Sequence, residues 1–562
     1  MFTPKVLRLL VFVLLMAAVA GCGSKSSSSS ARYDDSARNE SVREKSVAPS
    51  TSPVMSMDML PMDAPMGADF SMMGMDQKDS APPENENVMP GFNTESYDHL
   101  VDNPFLDVKQ NPLSTFSIDV DTASYSNMRR YINSGRLPPK GAVRIEEMVN
   151  YFDYNYEPPT DEQPFSAHVE IALCPWEGKH QLARIGLKGK VFGKTERPTV
   201  NLVFLLDVSG SMNMPNKLPL LKSAMTMLVK ELQPRDRVAI VTYAGASGLV
   251  LPSTTCDKKQ EILDKLESLQ AGGSTAGASG ITLAYQVAEE NFVPGEVNRV
   301  ILCTDGDFNV GITNQSDLVD LIEQKAKSGI FLTVLGFGMG NYKDSMLEKL
   351  ADKGNGNYGY IDTLNEARKM LVDQAEGSLI TIAKDVKIQV EFNPAKVGAY
   401  RLIGYENRLL RNEDFNDDTK DAGEIGAGHT VTAFYELVSP GEAGNLPGVD
   451  PLKYQTPPDA SPGEKSGELL TLKLRYKEPE GDTSKLMEIP VLEPDLTVSL
   501  SPDCSFAAAV AAFGMILRDS LHKGDASIPL VLELANAGKG DDPNGYRMEF
   551  IQLVKLSESF LK

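Results

Sequence analysis

Residues 200–211 read VNLVFLLDVSGS, an apolar run that ends in an aspartate and two serines. The near absence of alternation between polar and apolar residues is typical of a parallel strand that is buried on both faces. Apolar runs and segments of helical periodicity then alternate along the chain, at residues 218–232, 237–243, 249–251, 258–269, 278–291, 299–303, 317–327, 330–337, 345–351, 358–361 and 364–376. Alternation at this spacing predicts an α/β fold with a doubly wound, mostly parallel, Rossmann-like sheet.

Strand-like segments lie on both sides of this alternating unit. Residues 168–174 and 181–187 alternate polar and apolar residues and predict a hairpin. After residue 383, the segments VKIQVEF, VTAFYELV and LLTLKLRY are separated by turn residues, and three helix-like segments end the chain. We therefore predict a β-rich, sandwich-like flanking domain with terminal helices. Because β-rich stretches lie on both sides, one hypothesis is a single discontinuous domain into which the α/β unit is inserted.

A chain of 562 residues is longer than a domain with a single hydrophobic core usually is, so several domains are expected. The composition shifts predict five regions. They are a signal peptide at residues 1–21, which the resemblance given below makes a lipoprotein signal, a disordered Ser/Met/Pro-rich tether at 22–104, an N-terminal flanking domain at 105–197, the α/β domain at 198–378, and a β-rich C-terminal domain with terminal helices at 379–562. Within the tether, the Met-rich run at residues 55–75 is best interpreted as a linker, although thioethers also suit Cu(I).

The charge balance excludes two classes of partner. Lys and Arg number 55 against 77 Asp and Glu, which gives a formal net charge of −22. Such a chain mostly repels phosphates, so no nucleic acid is expected as a partner, and docking on anionic lipid through a polybasic patch is disfavoured.

The first 22 residues, MFTPKVLRLLVFVLLMAAVAGC, have the layout of an export signal. Lys5 and Arg8 precede an apolar core at residues 9–20, which is too short to span a bilayer. Cys22 directly after Ala-Gly resembles the bacterial lipobox, with Val19 at the place where Leu is most common. This resemblance implies that Cys22 is lipidated and that the protein is anchored to a membrane on the extracytoplasmic side of the cell envelope. The alternative interpretations of this segment are an ordinary secretory signal and a short membrane anchor.

The other four cysteines, Cys174, Cys256, Cys303 and Cys504, form no CxxC pair and have no histidine at zinc-like spacing. In a chain of this size, small buried hydrophobic residues are the expected role for them.

Polar residues gather where the predicted parallel strands end. Asp207, Ser209 and Ser211 follow the first strand, Thr275 lies in the loop GGSTAG at residues 272–277, and Asp305 follows the strand at 299–303. Ligands of open α/β sheets lie outside the carboxyl ends of the strands, so these loops are expected to converge. Their donors are all oxygens, which suits a hard cation such as Mg²⁺. The alternative is that the aspartates cap helices and the hydroxyls bond loop backbone.

These motifs resemble a known family. DxSxS after the first strand, a Thr in a GGST-type loop and an Asp after a later strand form the metal-ion-dependent adhesion site of von Willebrand factor A (VWA) domains. The resemblance implies that Asp207, Ser209, Ser211, Thr275 and Asp305 hold Mg²⁺, with Mn²⁺ or Ca²⁺ as substitutes. It also implies that a protein partner supplies a Glu or Asp to the ion, and that the helix near residues 364–376 can shift on binding.

The flanks carry a weaker resemblance. Residues 115–132 (TFSIDVDTASYSNMRRYI) and residues 421–438 (DAGEIGAGHTVTAFYELV) look like the flanking regions of bacterial A-domain lipoproteins. In the first block, Asp119 and Asp121 are candidate metal ligands, but a helix cap by Asp121 or Thr122 is the favoured interpretation.

The expected function is a non-enzymatic, membrane-anchored protein-binding module. A structural envelope lipoprotein, with the metal as a fold staple, is the first alternative. A Mg²⁺-assisted hydrolase is the second, and the sequence disfavours it because only Asp307 offers a general base, no G-x-S-x-G motif occurs, and the GGSTAG loop lacks the Lys of a phosphate-binding loop.

Overall fold

The computed structural model describes residues 97, 99–193, 197–244, 246–273, 277–306, 315–338, 344–420, 422–445, 467–492 and 500–561. All of them belong to one structural unit, residues 87–562. The predicted signal peptide, Cys22, and the predicted tether up to residue 96 lie outside the described residues.

The helices of the described residues are α1 Ala123–Asn133, α2 Ile145–Asn150, α3 Leu218–Glu231, α4 Lys259–Glu267, α5 Gly277–Glu290, α6 Gln315–Lys327, α7 Asp344–Lys353, α8 Leu364–Arg368, α9 Ala375–Leu379, α10 Pro502–Arg518, α11 Ile528–Ala537 and α12 Tyr546–Ser557. The strands are β1 Leu106–Asp107, β2 Leu113–Ser117, β3 Phe165–Leu173, β4 Gln181–Gly189, β5 Val200–Asp207, β6 Arg237–Ala244, β7 Ala246–Thr255, β8 Val297–Thr304, β9 Ile330–Phe337, β10 Tyr358–Ile361, β11 Thr381–Phe392, β12 Ala399–Ile403, β13 Ile425–Gly426, β14 Thr430–Val438, β15 Glu468–Lys477 and β16 Lys485–Leu492.

A six-stranded sheet in the order β10-β9-β8-β5-β6-β7 forms the centre of the α/β unit. Every pair in it is parallel except β6–β7 at the edge, where β7 extends well beyond the short strand predicted at residues 249–251. Leu228 of α3 packs with Phe204 on one face of the sheet. Tyr285 of α5 packs with Leu205 on the other face. Helices on both faces bury the continuous apolar strands, and the α/β prediction is confirmed.

The strands before and after the α/β unit share two further sheets. Strand β14 lies between β12 and β4 in the order β1-β12-β14-β4-β3. The β4–β14 pairing is antiparallel and sets Val431 opposite Leu187. The second sheet runs β13-β11-β15-β16, and β2 joins it by pairing Phe116 with Ile388 of β11. This pairing supports the hypothesis of one discontinuous β domain, while the predicted domain limits themselves stay a prediction.

Folded contacts begin before residue 105, the predicted start of the N-terminal flanking domain. The side-chain amide of Asn103 donates to the carbonyl oxygens of Leu402 and Gly404, at 3.1 and 2.8 Å. Asp102 pairs with Arg518 of α10 at 2.7 Å.

The terminal helices pack against the helices that precede β3. Nearly every side chain of α10 is buried, and its small residues let the neighbouring helices approach closely. Phe506 and Phe550 form edge contacts with Phe152, in a cluster that also contains residues of α1 and α2. The four cysteines outside the signal segment are free thiols buried in these cores, as predicted. In the described part of the chain, no helix combines the length and the apolar character that a membrane span requires.

The helix predicted at residues 364–376 is broken, and that prediction is wrong in this respect. Helix α8 passes into a π-helical turn at Lys369–Asp373, and α9 follows. The ammonium of Lys369 lies 4.7 and 4.9 Å from the ring centres of Tyr151 and Tyr546, which belong to the flanks. Cation–π contacts of this kind stabilise a buried lysine, and the local sequence has no Pro or Gly that marks the break.

Arg129 of α1 joins three distant parts of the chain. Its guanidinium pairs with Asp362 and, at 2.7 Å, with Glu366, both at the end of the α/β unit. It also pairs with Glu549 of α12 at 3.1 Å. The hydroxyl of Tyr151 donates to Glu366 at 2.9 Å. Because Arg129 and Glu366 are buried, each depends on the other for compensation of its charge.

Replacing Arg129 therefore tests how strongly the flanks and the α/β unit depend on each other. We expect Arg129→Met to lower the free energy of unfolding by about 3–5 kcal/mol, because buried carboxylates lose their cation. Urea unfolding followed by circular dichroism measures the effect. The control is Arg411→Met, which removes an exposed arginine paired with Asp414 and is expected to change stability by less than about 0.5 kcal/mol. Equal losses in the two variants would contradict the assignment.

Candidate metal site at the carboxyl edge of the parallel sheet

Two of the predicted ligands end neighbouring parallel strands. Asp207 is the last residue of β5, and Asp305 directly follows β8. These strands are in register, with Leu206 opposite Cys303, so both aspartates lie at the same edge of the sheet. Both are fully buried or nearly so.

One oxygen of Asp207 lacks a hydrogen bond. Oδ1 accepts the backbone N–H of Ser209 at 2.8 Å. Oδ2 is buried and has no hydrogen bond of normal geometry to a described residue. Burial raises the pKa of Asp207 to about 6, and the nearby charge of Asp305 adds to this, while hydrogen bonding from Ser209 and from the hydroxyl of Tyr243 opposes it. A buried carboxylate oxygen without a partner is costly unless a cation or a proton compensates it.

Ser209 and Ser211 place two hydroxyl groups in the loop that follows β5. Ser209 is buried and Ser211 is exposed in the short 3₁₀ helix Gly210–Asn213, and their Oγ atoms lie 3.0 Å apart. Together with the carboxylates of Asp207 and Asp305, they form an all-oxygen donor set. Donors of this type, with an unsatisfied carboxylate oxygen among them, fit a hard divalent cation.

The loop that carries Thr275 is bonded to the loop that carries the serines. Gly272 N–H donates to the carbonyl of Val208 at 2.8 Å, and Gly210 N–H donates to that of Gly273 at 3.1 Å. Gly273 has φ +87°, and a Cβ there would lie 3.0 Å from the carbonyl oxygen of Ala244. The positive φ and the close passage of this loop by the end of β6 therefore favour glycine at position 273. Thr275 itself lies outside the described residues, as does Asp307.

Lys217 contacts this edge and was not anticipated from the sequence. Its ammonium donates to Oδ2 of Asp305 at 2.8 Å, and both side chains are buried. Lys217 occupies the N-cap position of α3, where the helix dipole disfavours a positive charge. A lysine at that position is unusual, but the partner that accounts for it is 88 residues away in the sequence and could not be identified locally.

Asp119 and Asp121 do not reach this site and belong to a second acidic cluster. Their carboxylates and that of Asp352 lie within 4.8 Å of one another. The guanidinium of Arg408 pairs with Asp119 at 3.1 Å, Asp121 at 3.3 Å, Asp352 at 3.2 Å and Glu348 at 2.6 Å. Burial and the like charges raise the pKa of Asp121 and of Asp352. Arg408 therefore compensates part of the negative charge of all four carboxylates.

The predicted helix cap is confirmed in position, since Thr122 precedes α1, but wrong in its hydrogen bond. Thr122 stands at the N-cap position of α1, but its side chain makes no capping hydrogen bond. Asp121 instead accepts the backbone N–H of Tyr358 at 2.9 Å, which ties the start of α1 to the start of β10. The carboxylate of Asp121 therefore bonds a distant strand, and no side chain caps the start of α1.

A groove of about 810 Å³ runs between α3 and α4 and reaches the loops of the candidate site. Asn213 and Ala271, which line one end, adjoin the segments that carry the serines and Gly272–Gly273. Lys222, Lys230 and Leu364 line it further along. The groove gives the site a flanking surface that is partly basic and partly apolar.

Three known family models match successive parts of the chain. The von Willebrand factor type A domain model matches residues 201–374, a model described as von Willebrand factor matches residues 91–184, and a model described as the C-terminal part of uncharacterized protein YfbK matches residues 377–560. Uncharacterized protein YfbK of Escherichia coli K12 is 46% identical over 472 residues, which is 83% of this chain and 81% of that protein.

More distant similarities are confined to part of the chain or to its fold. Human inter-alpha-trypsin inhibitor heavy chain H4 is 31% identical over 168 residues, 28% of this chain and 18% of that protein. The solved structure of a von Willebrand factor type A protein from Catenulispora acidiphila is 18% identical, with a TM-score of 0.38, and covers 70% of this chain and 89% of that one.

The unpartnered oxygen of Asp207 gives a direct test of the site. We expect Asp207→Ala to reduce the affinity for Mn²⁺ by at least about tenfold, since a ligand is removed. In EDTA the melting temperature should fall only slightly, because the variant loses the hydrogen bond from Ser209 N–H to Oδ1 but is also relieved of a buried, poorly compensated carboxylate. Calorimetric titration measures the affinity, with Asp264→Ala on the exposed side of α4 as the control. Tight Mn²⁺ binding by the Asp207 variant would show that the ligands lie elsewhere.

Proposed function

This chain belongs to the YfbK family of proteins with a von Willebrand factor type A domain, and on that basis we propose that it is a binding protein of the cell envelope. Domains of this type typically mediate protein–protein interaction. The proposed partner is a protein that presents a Glu or Asp side chain to a Mg²⁺ ion held by Asp207, Ser209, Ser211, Thr275 and Asp305. Mn²⁺ and Ca²⁺ are the proposed substitutes.

The observation that supports this proposal most strongly is the buried, unpartnered Oδ2 of Asp207 beside two adjoining hydroxyls. Mg²⁺ usually takes only one or two protein carboxylates and leaves positions for outside oxygens, so it supplies a link between this edge and a partner carboxylate. The chain's own residues fix the donors: Ser209 N–H orients Asp207, and the bonded loops hold the hydroxyls at the sheet edge.

The surroundings favour a protein partner over a small molecule. Met214, beside the serine loop, and Leu364, in the groove between α3 and α4, are both about half exposed. Exposed apolar side chains next to a polar centre are typical of protein-binding surfaces. We propose that the partner places its acidic side chain at the metal and apolar residues along this groove.

A binding role is favoured over a hydrolytic one. The hydroxyls of Ser209 and Ser211 lie within hydrogen-bonding distance of each other, an arrangement that does not activate either as a nucleophile. We therefore propose a non-enzymatic function, in which the metal serves recognition.

Membrane attachment through a lipid on Cys22 completes the proposal and rests on the sequence of the first 22 residues. The lipid would hold the protein on the extracytoplasmic side, and Gly23 is compatible with delivery to the outer membrane of a cell with two membranes. Two or more acyl chains suffice for stable anchoring.

Affinity capture from an envelope extract tests the binding role. Residues 87–562 are used as bait in Mg²⁺, in EDTA, and as the Asp207→Ala variant in Mg²⁺. We expect one or more proteins to be retained only by the wild-type bait in Mg²⁺, because capture requires the ion and its ligand. Retention of the same proteins in all three arms would contradict a metal-mediated function and favour the metal as a structural element.

Cell fractionation tests the anchor separately. We expect Cys22→Ser to abolish incorporation of labelled fatty acid and to move the protein out of the washed membrane fraction, since the acylated residue is lost. Ser24→Ala, two residues away, is the control and should remain with the membranes. Membrane retention of both variants would rule out lipidation as the anchor.

A further inference from the structure

Lys217 occupies a position that the local helix does not favour. It stands at the N-terminal end of α3, where the helix dipole repels a cation, and its side chain is 5% exposed. The partner that compensates it is Asp305, 2.8 Å from the ammonium. The ion pair joins the beginning of α3 to the residue that follows β8.

The aliphatic part of the Lys217 side chain packs closely against the residue that follows β9. Gly338 directly follows β9, and a Cβ built there would lie 2.4 Å from Cε of Lys217 and 2.7 Å from its Cγ. Gly338 also has φ +82°, which disfavours any other residue. The absence of a side chain at position 338 therefore leaves the space that the Lys217 side chain occupies on its way to Asp305.

Lys217 changes the charge of the proposed site. The carboxylates of Asp207 and Asp305 would by themselves balance a divalent cation. With the ammonium against Asp305, the set of two carboxylates, one lysine and one divalent ion carries one excess positive charge. A single carboxylate from outside then restores neutrality, and in a buried setting an uncompensated charge is costly.

We propose that Lys217 is a positioning residue that weakens metal binding in the free protein and makes stable binding depend on the acidic side chain of the partner. The inference rests on the proposed function, since it assumes that Asp207 and Asp305 bind the metal. It adds a reason for carboxylate selectivity, because the lysine leaves the metal-loaded site one negative charge short.

The test measures the affinity of the full-length chain for Mn²⁺ alone by calorimetry. We expect Lys217→Met to bind Mn²⁺ at least tenfold more tightly than the wild type. In EDTA the variant should melt at a lower temperature, because Asp305 loses its counter-ion, and Mn²⁺ should raise its melting temperature more than that of the wild type. A lysine with only a structural role would lower stability without raising the affinity. Lys217→Gln, which can still donate to Asp305, serves if the Met variant does not fold.

Lys222→Met is the matched control. Lys222 lies on the same helix and donates to the carbonyl oxygens of Glu267 and Leu269, so its loss changes the net charge equally without touching Asp305. Its Mn²⁺ affinity should equal that of the wild type.

The possible results separate this inference from the proposed function. Unchanged or weaker Mn²⁺ binding by the Lys217 variants, with binding by the wild type and loss in Asp207→Ala, overturns the inference and leaves the metal site standing. Binding by the Lys217 variants alone supports it and shows that the lysine excludes the ion from the free protein. Failure of the wild type and of both Lys217 variants to bind overturns the metal site and the inference together.

Discussion

The pairing of β14 with β4 is the constraint on which the rest of the fold depends. Because β14 lies between β12 and β4, the chain must return from the α/β unit to complete a sheet that began before it. Both connections lie at the amino edge of the parallel sheet. At the entry, Asp236 pairs with Arg197 at 2.5 Å and accepts the N–H of Val200. At the exit, Arg299 donates to Thr381. Asp207 lies at the other end of β5, at the carboxyl edge, away from both connections.

The segment that ends the α/β unit is held by the flanks at two points. Arg129 pairs with Asp362 and Glu366, and the ammonium of Lys369 contacts the rings of Tyr151 and Tyr546. Resemblance to A domains implies that this segment can shift when a partner binds. In this protein such a shift would have to break the ion pairs of Arg129 and the contacts of Lys369 with the two tyrosine rings. The contacts with the flanking domain therefore raise the free energy needed to move this segment. The flanks therefore hold the last segment of the α/β unit in place.

The sequence predicts those features that local chemistry determines. The continuous apolar run of β5 identified a buried parallel strand, and the limits of α1 agree with the prediction, because periodicity and end signals suffice there. The π-helical turn at residues 369–373 packs Lys369 against Tyr151 and Tyr546, far away in the chain, and local sequence signals do not predict it. The same holds for Asp121, whose partner Arg408 is 287 residues distant, and for the contact of Lys217 with Asp305. Strand β16 was missed because Pro490 and exposed charges weaken its pattern.

The central claim is that a divalent cation binds at the carboxyl edge of the sheet. Anomalous X-ray scattering from crystals soaked in Mn²⁺ locates such an ion directly, independently of affinity or of any partner. We expect an anomalous peak within about 2.3 Å of Oδ2 of Asp207, with the hydroxyls of Ser209 and Ser211 beside it. A peak at the cluster of Asp119, Asp121 and Asp352 instead, with none beside Asp207, would contradict it.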